Sequence, residues 1–241
     1  MHLNFYKKVV IELSIPNTRK EAMMRDMSNY SYEKVQPNDR DSYLFIKRFI
    51  DILGSLVGVI LLTPLFIIVY ALIKFEDKDG SVFFKQKRVG KDGEIFYMYK
   101  FRSMVCNAEA LKATLINQNE ASGPVFKIKH DPRVTKVGRI IRKTSIDELP
   151  QLINVLKGEM TLVGPRPPLP DEVAQYSNYE KQRLSVTPGL TCYWQVSGRS
   201  NIGFNDWVEL DLKYIENRNT LLDMKLIVKT VFVLFGSKDA Y

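Results

Sequence analysis

From Ile52 to Ile73 the sequence runs ILGSLVGVILLTPLFIIVYALI without a charged residue. As a straight helix this stretch would measure about 33 Å, against about 30 Å for the hydrocarbon core of a bilayer. A helix apolar on every face needs apolar surroundings on every face, either a protein core or lipid. The length favours lipid over a buried core helix. With 45% hydrophobic residues across 241 positions, the rest of the chain has the composition of a globular domain, not of a polytopic membrane protein.

The charges around this segment constrain its topology. Lys47 and Arg48 precede it, with Arg40 and Lys34 upstream, and Lys74 closes it, followed by Lys78, Lys85, Lys87 and Arg88. Basic residues collect on the cytoplasmic side, so both ends are expected there. Thr63 and Pro64 sit in the middle. Pro64 has no N–H, so the Ile60 carbonyl loses its helical partner and the ring presses on the same turn. These features predict a re-entrant helix–break–helix hairpin over residues 44–75, broken at Thr63 and Pro64. The freed backbone groups then need partners such as the Thr63 hydroxyl. A kinked span crossing the bilayer is the competing topology. Gly54 and Gly58 have the spacing that lets another helix approach closely.

Composition narrows the chemistry. Lys and Arg number 35 against 27 Asp and Glu, a formal charge of +8, which suits an anionic membrane surface, phosphate-rich substrates or nucleic acid. No nucleic-acid-reading module accompanies the charge, so no nucleic-acid partner is expected. The two cysteines, Cys106 and Cys192, form no CxxC pair, and the two histidines are His2 and His130. A disulfide framework, a zinc site and a Ser-His-Asp triad are therefore poor fits. Chemistry falls to carboxylates, arginines and a borrowed metal ion. Residues 1–43 read as a polar extension without a signal-peptide core.

Residues 76–241 read as one cytoplasmic domain of α/β class, mostly helical with a short β-hairpin and without a doubly wound pattern. Phe83 to Gln86 and Ile95 to Phe101 are the expected hairpin arms, turning at Lys91-Asp92-Gly93. Helices are expected over Ala108–Asn117 and over Ser145–Leu156, the latter stopped by Gly158. VGPRPPLP, from Val163 to Pro170, is too rich in proline to be helical and predicts a stiff extended loop. Two amphipathic patterns close the chain. The first carries Trp207, Leu210, Tyr214 and Ile215, the second Leu222, Leu226 and Val233; either packs on a core or lies at a membrane interface.

The carboxylates Asp147 and Glu148 stand among cations. Ser145 with Glu148 fits a capping box, and Asp147 in a first turn would complement the helix dipole, which is a purely structural role. Arg133, Arg139, Arg142 and Lys143 precede the pair, Arg166 follows in the proline-stiffened loop, and Lys100 and Arg102 close the second hairpin arm. That density makes either a solvated basic face or a pocket for several phosphates. An ionised carboxylate beside neutralising cations is what attack on phosphorus requires, and a second carboxylate can help hold Mg²⁺ against a diphosphate.

Several long motifs in fixed order also make residues 44–241 resemble the bacterial sugar transferases, the polyprenyl-phosphate hexose-1-phosphate transferases or monotopic phosphoglycosyl transferases. They are KRFID at 47–51, Thr63-Pro64, FKQKRVGKDGEIFYMYKFRSM at 84–104, DPRVTKVGRIIRKTSIDELPQL at 131–152 and GEMTLVGPRPP at 158–168. The resemblance implies a covalent, two-step mechanism at the inner membrane's cytoplasmic face, starting a surface polysaccharide such as exopolysaccharide, capsule or O-antigen. Asp147 would attack the sugar-bearing phosphate of a UDP-sugar, and undecaprenyl phosphate would take the phosphosugar. Glu148 would assist with Mg²⁺ or proton handling, leaving Asp147 and Glu148 as the metal-facing pair. Arg102, Arg142 and Arg166 would hold phosphates, with Lys100 and Arg133 beside them. WQVSGRS at 194–200 and DLKYIENRNTLLD at 211–223 resemble the subgroup using UDP-glucose or UDP-galactose. An N-acetylated UDP-sugar is the alternative donor, a non-catalytic membrane-bound scaffold the alternative role, and a homodimer a further expectation.

Overall fold

The structure, a computed structural model, describes residues 34–120, 123–126, 128–196 and 203–236, without the side chains of 233–236. Much of the expected N-terminal extension, part of WQVSGRS and the Val233 side chain therefore lie outside the described residues. In chain order the elements are a long helix α1 (Asp41–Glu76), strands β1 (Phe83–Val89) and β2 (Ile95–Phe101), α2 (Ala108–Leu115), α3 (Lys136–Lys143), a 3-10 helix (Ile146–Gln151) running into α4 (Leu152–Lys157), and β3 (Thr161–Val163). After these come the short α5 (Pro170–Val173) and α6 (Asn178–Lys181), then β4 (Gly189–Thr191), α7 (Tyr193–Val196), α8 (Phe204–Asn217) and α9 (Thr220–Gly236). The chain is mostly helical with one short antiparallel hairpin.

Helix α1 runs unbroken through Pro64, so the expected interruption is confined to one rung of the hydrogen-bond ladder. Proline removes a single donor, and the turns on either side keep their own bonds. The Thr63 hydroxyl donates to the Val59 carbonyl at 2.8 Å, one residue before the carbonyl that Pro64 leaves open. Buried positions Tyr43, Lys47, Asp51 and Ser55, then Val69 and Ile73, recur at about one helical turn and mark the protein-facing stripe. Elsewhere the helix is bare: only 11% of its most apolar window is buried, which argues against the core-helix alternative.

Both halves of α1 dock on the same domain. In the first half Arg48 donates to the Val155 and Leu156 carbonyls, closing the end of α4. Asp51 accepts the Thr161 hydroxyl at 2.6 Å and the Leu162 amide at 2.8 Å. A Cβ on Gly54 or Gly58 would come within 2.9 or 3.1 Å of Leu162 or Leu152, so the small-residue spacing admits side chains of the domain that follows. In the second half Val69 and Ile73 join Val82, Phe101 and Ile141 in a buried cluster, and the Glu76 carboxylate accepts the Lys136 and Val137 amides at the start of α3.

The hairpin register pairs Phe83 with Phe101, Lys85 with Tyr99, Lys87 with Tyr97 and Arg88 with Phe96. Period-two alternation puts Phe96 and Met98 into a core with Val155 and Met160. The turn is a 3-10 bend at Lys91–Gly93 with Asp92 and Gly93 at positive φ. Strands β3 and β4 pair in parallel, Thr161 with Gly189 and Val163 with Thr191. A Cβ on Gly189 would lie 2.0 Å from the Gly164 nitrogen, so only glycine permits this crossing. The C-terminal helices build the main core: Val208, Leu212, Tyr214 and Ile215 of α8 and Leu226 of α9 pack with Val163, Tyr176 and Val186. Of the expected first pattern, Tyr214 and Ile215 are buried while Trp207 and Leu210 are half-buried. On α9 the outward residues Leu221, Met224, Val228, Val231 and Phe232 form an exposed apolar stripe.

Candidate active site

The expected helix from Ser145 is a 3-10 helix instead, and Ser145 sits at φ 55° without capping the helix through its side chain. A capping box is therefore not formed. The left-handed residue stops α3 and turns the chain sharply, at a cost of about 1 kcal/mol for a non-glycine. On the tighter helix, successive side chains diverge by about 120°, so Asp147 and Glu148 meet different surroundings.

Glu148 is gripped by cations. Its Oε1 accepts Lys100 Nζ at 2.7 Å and lies 3.1 Å from an Arg166 nitrogen. Burial alone would raise its carboxyl, but Arg166 and Lys100 overcome that and hold it well below the usual glutamate range. Asp147 is 8% exposed and has no hydrogen bond or ion pair among the described residues. Burial pushes its carboxyl up to about 6, with Glu148 adding to the rise and Lys100, Arg142 and Arg166 opposing it. At neutral pH it remains mostly ionised, with its lone pairs uncommitted. An ionised carboxylate without a partner, set among cations, is placed to meet an electrophile that brings its own negative oxygens to those cations.

Arg166 is held by an unusual loop. Pro165, Pro167 and Pro168 have no N–H, so the backbone offers mainly carbonyls, and its neighbours supply the donors. The Val163 carbonyl takes Lys47 Nζ and the Tyr214 hydroxyl, both at 2.8 Å. The Pro165 carbonyl takes the Gly189 amide, the Arg166 carbonyl takes Arg183 at 3.3 Å, the Pro167 carbonyl takes Arg88 at 2.9 Å and the Pro168 carbonyl takes the Val89 amide. Lys47 also pairs with Asp223 at 2.8 Å, and Arg183 with Asp211 at 2.7 Å. Three buried cations thus fix one loop. Behind it the Arg166 guanidinium faces the Trp194 ring at 5.9 Å, Trp194 lies 4.6 Å from Trp207, and Arg183 covers Trp207 at 4.9 Å.

The other expected phosphate ligands fall in three places. Lys100 reaches the carboxylate pair from β2, and burial lowers its ammonium pKa while Glu148 supports the charge. Arg142, at the end of α3, acts on both Asp147 and Asp131 through its charge. Arg102 instead pairs with Asp77 at 2.6 Å, where α1 ends. Arg133 closes on Asp131 at 2.6 Å and on the Ala108 carbonyl, leaving it a structural clamp in this state. Arg88, read from sequence as one of the charges flanking the anchor, belongs with the site. It is buried against Pro167, and burial and the Arg166 charge lower its guanidinium to about 10 while Glu172 and Glu148 support it. The signal for it was the strand period, which puts Arg88 and Lys100 on the inward face of the hairpin with Phe96 and Met98.

No cluster of three or more metal-ligating side chains occurs among the described residues. Two adjacent carboxylates, one with an oxygen free of the Lys100 contact, are hard oxygen donors of the kind that Mg²⁺ takes.

A family model described as bacterial sugar transferase matches residues 42–237. The galactosyl transferase CpsE of Streptococcus agalactiae is 46% identical over 81% of this chain and 44% of its own length. The exopolysaccharide production protein ExoY of Sinorhizobium fredii is 39% identical over 81% of this chain and 88% of its own. The undecaprenyl-phosphate galactose phosphotransferase of Salmonella typhimurium is 44% identical over 82% of this chain and 42% of its own. The chain thus spans less than half the length of two of these relatives and most of the third.

Proposed function

The chain belongs to the bacterial sugar transferase family, and on that premise we propose that it transfers a hexose-1-phosphate from a UDP-sugar to undecaprenyl phosphate, releasing UMP. The observation that carries this reading is the buried, unpaired Asp147 carboxylate facing Lys100, Arg142 and Arg166. In the first step a carboxylate oxygen of Asp147 attacks the sugar-bearing phosphorus. The P–O bond to UMP breaks, and UMP leaves with the electron pair. In the second step a phosphate oxygen of undecaprenyl phosphate attacks the same phosphorus and the aspartyl P–O bond breaks. The carboxylate is regenerated, and a lipid diphosphate sugar is formed. Neither step needs a proton removed from an ionised acceptor, so the site's work is electrostatic: Lys100, Arg88, Arg142 and Arg166 offset the phosphate charge that would otherwise repel Asp147. A Mg²⁺ ion held by Asp147 and Glu148 would add to that neutralisation.

Glucose or galactose is the proposed donor sugar, supported by the names of the galactose-transferring relatives. The polysaccharide role is supported by ExoY. For topology, a monotopic placement at the cytoplasmic face of the inner membrane, with both ends of α1 on one side, is supported by the docking of both halves of α1 on one domain, through Arg48 and Asp51 at one end and Ile73 and Glu76 at the other. A helix crossing the bilayer would carry one of those ends away. Measuring UMP release in nanodiscs with undecaprenyl phosphate, Mg²⁺ and a panel of UDP-sugars tests the function. The parent is expected to release UMP from UDP-glucose or UDP-galactose, and Asp147→Asn to fall by at least about a thousandfold. Undiminished release by Asp147→Asn, or none from any donor by an embedded parent, would contradict it.

A further inference from the structure

The inward face of the hairpin serves the active site; its outward face has no such duty. From one end, that face carries the pairs Phe83–Phe101, Lys85–Tyr99 and Lys87–Tyr97, with Val89–Ile95 beside the turn. The first pair is apolar and touches the anchor, with Phe101 stacked on Phe83 at 5.2 Å and edge-on to Phe66 of α1 at 5.3 Å. The next two are cationic and aromatic. Two ammonium groups lie near the Tyr99 ring, Lys85 at 5.6 Å and Lys157 at 4.6 Å from its centre. Lys157 also donates to the Tyr99 hydroxyl at 2.8 Å, and the hydroxyl's own proton has no acceptor among the described residues. Lys85, Lys87 and Lys157 are exposed, and none meets a carboxylate within salt-bridge distance among the described residues. On its far side the group adjoins the other half of the anchor, because Arg48 holds the carbonyls of Val155 and Leu156 immediately before Lys157.

We propose that Lys85, Tyr99 and Lys157, with Lys87 and Tyr97 beside them, form a binding site for the phosphate headgroup of an anionic membrane phospholipid. This rests on the reading of α1 as membrane-embedded. The order along the face, phenylalanines against the anchor and then lysines with tyrosines, is the order met in passing from hydrocarbon to headgroups. Two ammoniums and a free phenolic proton gather at one ring as donors and outnumber the single carboxylate, Glu159, whose charge acts on Lys157, which suits a phosphodiester and disfavours a neutral headgroup. The site is separate from the carboxylate pair, to which Lys100 on the opposite face of β2 is committed.

The test is the selectivity of the full chain, in phosphatidylcholine bilayers, for spin-labelled phosphatidylglycerol over spin-labelled phosphatidylcholine. The parent should prefer phosphatidylglycerol about fivefold or more, since a single lysine at an anionic surface supplies about that factor. Lys85→Gln/Lys157→Gln should bring the ratio close to one, and Tyr99→Phe should lower it. Lys181→Gln/Lys213→Gln, with the same net charge, should leave it unchanged. An unselective parent, or equal loss in both double variants, overturns the proposal. So does a parent indifferent to phosphatidylglycerol that binds poly-glutamate through Lys85 and Lys157, which would mark a protein-docking face. A parent that restricts no lipid of either kind sinks the membrane reading itself, a result distinct from absent selectivity.

Discussion

Neighbouring carboxylates with opposite shifts give the site its pH signature. Burial raises Asp147 to about 6, whereas Glu148 is held low by Arg166 and Lys100 against its own burial. On the proposed mechanism attack needs the Asp147 carboxylate, so kcat/KM should fall as pH drops through about 6, where an ordinary aspartate would hold out to about 4. Arg142→Gln removes a charge that lowers the Asp147 pKa, so its acid limb should move to higher pH. Glu148→Gln removes one that raises it and should move the limb lower, whatever it does to the rate. A pH–rate series on UMP release checks both, and limbs moving the opposite way would refute the electrostatic assignment. From sequence the carboxylate pair and the candidate cations were visible, but which cations reach the pair was not. The Ser145–Glu148 spacing suggested a cap because that spacing is local, while Lys100 and Arg166 are brought to Glu148 only by folding. Arg102 and Arg133 had carboxylates nearer to hand in Asp77 and Asp131, and these took them.

The element on which most depends is the loop from Val163 to Pro168. Its prolines stiffen it, yet its position comes from Lys47, Arg88 and Arg183, which lie on three different elements. Lys47 ties the anchor helix to the Arg166 loop directly. Lys47→Met should break the pair with Asp223 and remove one of the two donors to the Val163 carbonyl, lowering stability by about 3–5 kcal/mol. In protein that still folds, kcat should fall through a displaced Arg166. Denaturant unfolding beside UMP kinetics checks this, and a variant with normal stability and rate would remove Lys47 from the account. The stiffness of VGPRPPLP was legible in its prolines and the hairpin in its alternation. The cations that satisfy the loop carbonyls were not, since such contacts span over a hundred residues in the case of Lys47 and Val163. Pro64 shows the reverse: its local effect was legible, and the surrounding turns absorbed it.

At the scale of the whole molecule, a domain that holds both halves of one apolar helix can sit on only one side of a membrane. Ser42→Cys and Lys78→Cys, each placed in a Cys106→Ser background, should react with an impermeant maleimide only from the cytoplasmic side. Reaction of either from outside would replace the one-sided placement with a span. The long apolar segment and its flanking charges were plain in the sequence, but the docking of both its halves on one domain required the fold. The most direct test of the central claim is the intact mass of the protein after incubation with UDP-sugar and Mg²⁺ in the absence of undecaprenyl phosphate. The account predicts a gain of one hexose phosphate, mapped to Asp147, absent in Asp147→Asn and discharged when undecaprenyl phosphate is added. UMP release that requires the lipid acceptor, with no adduct at any stage, would mean direct transfer and would contradict the covalent role of Asp147.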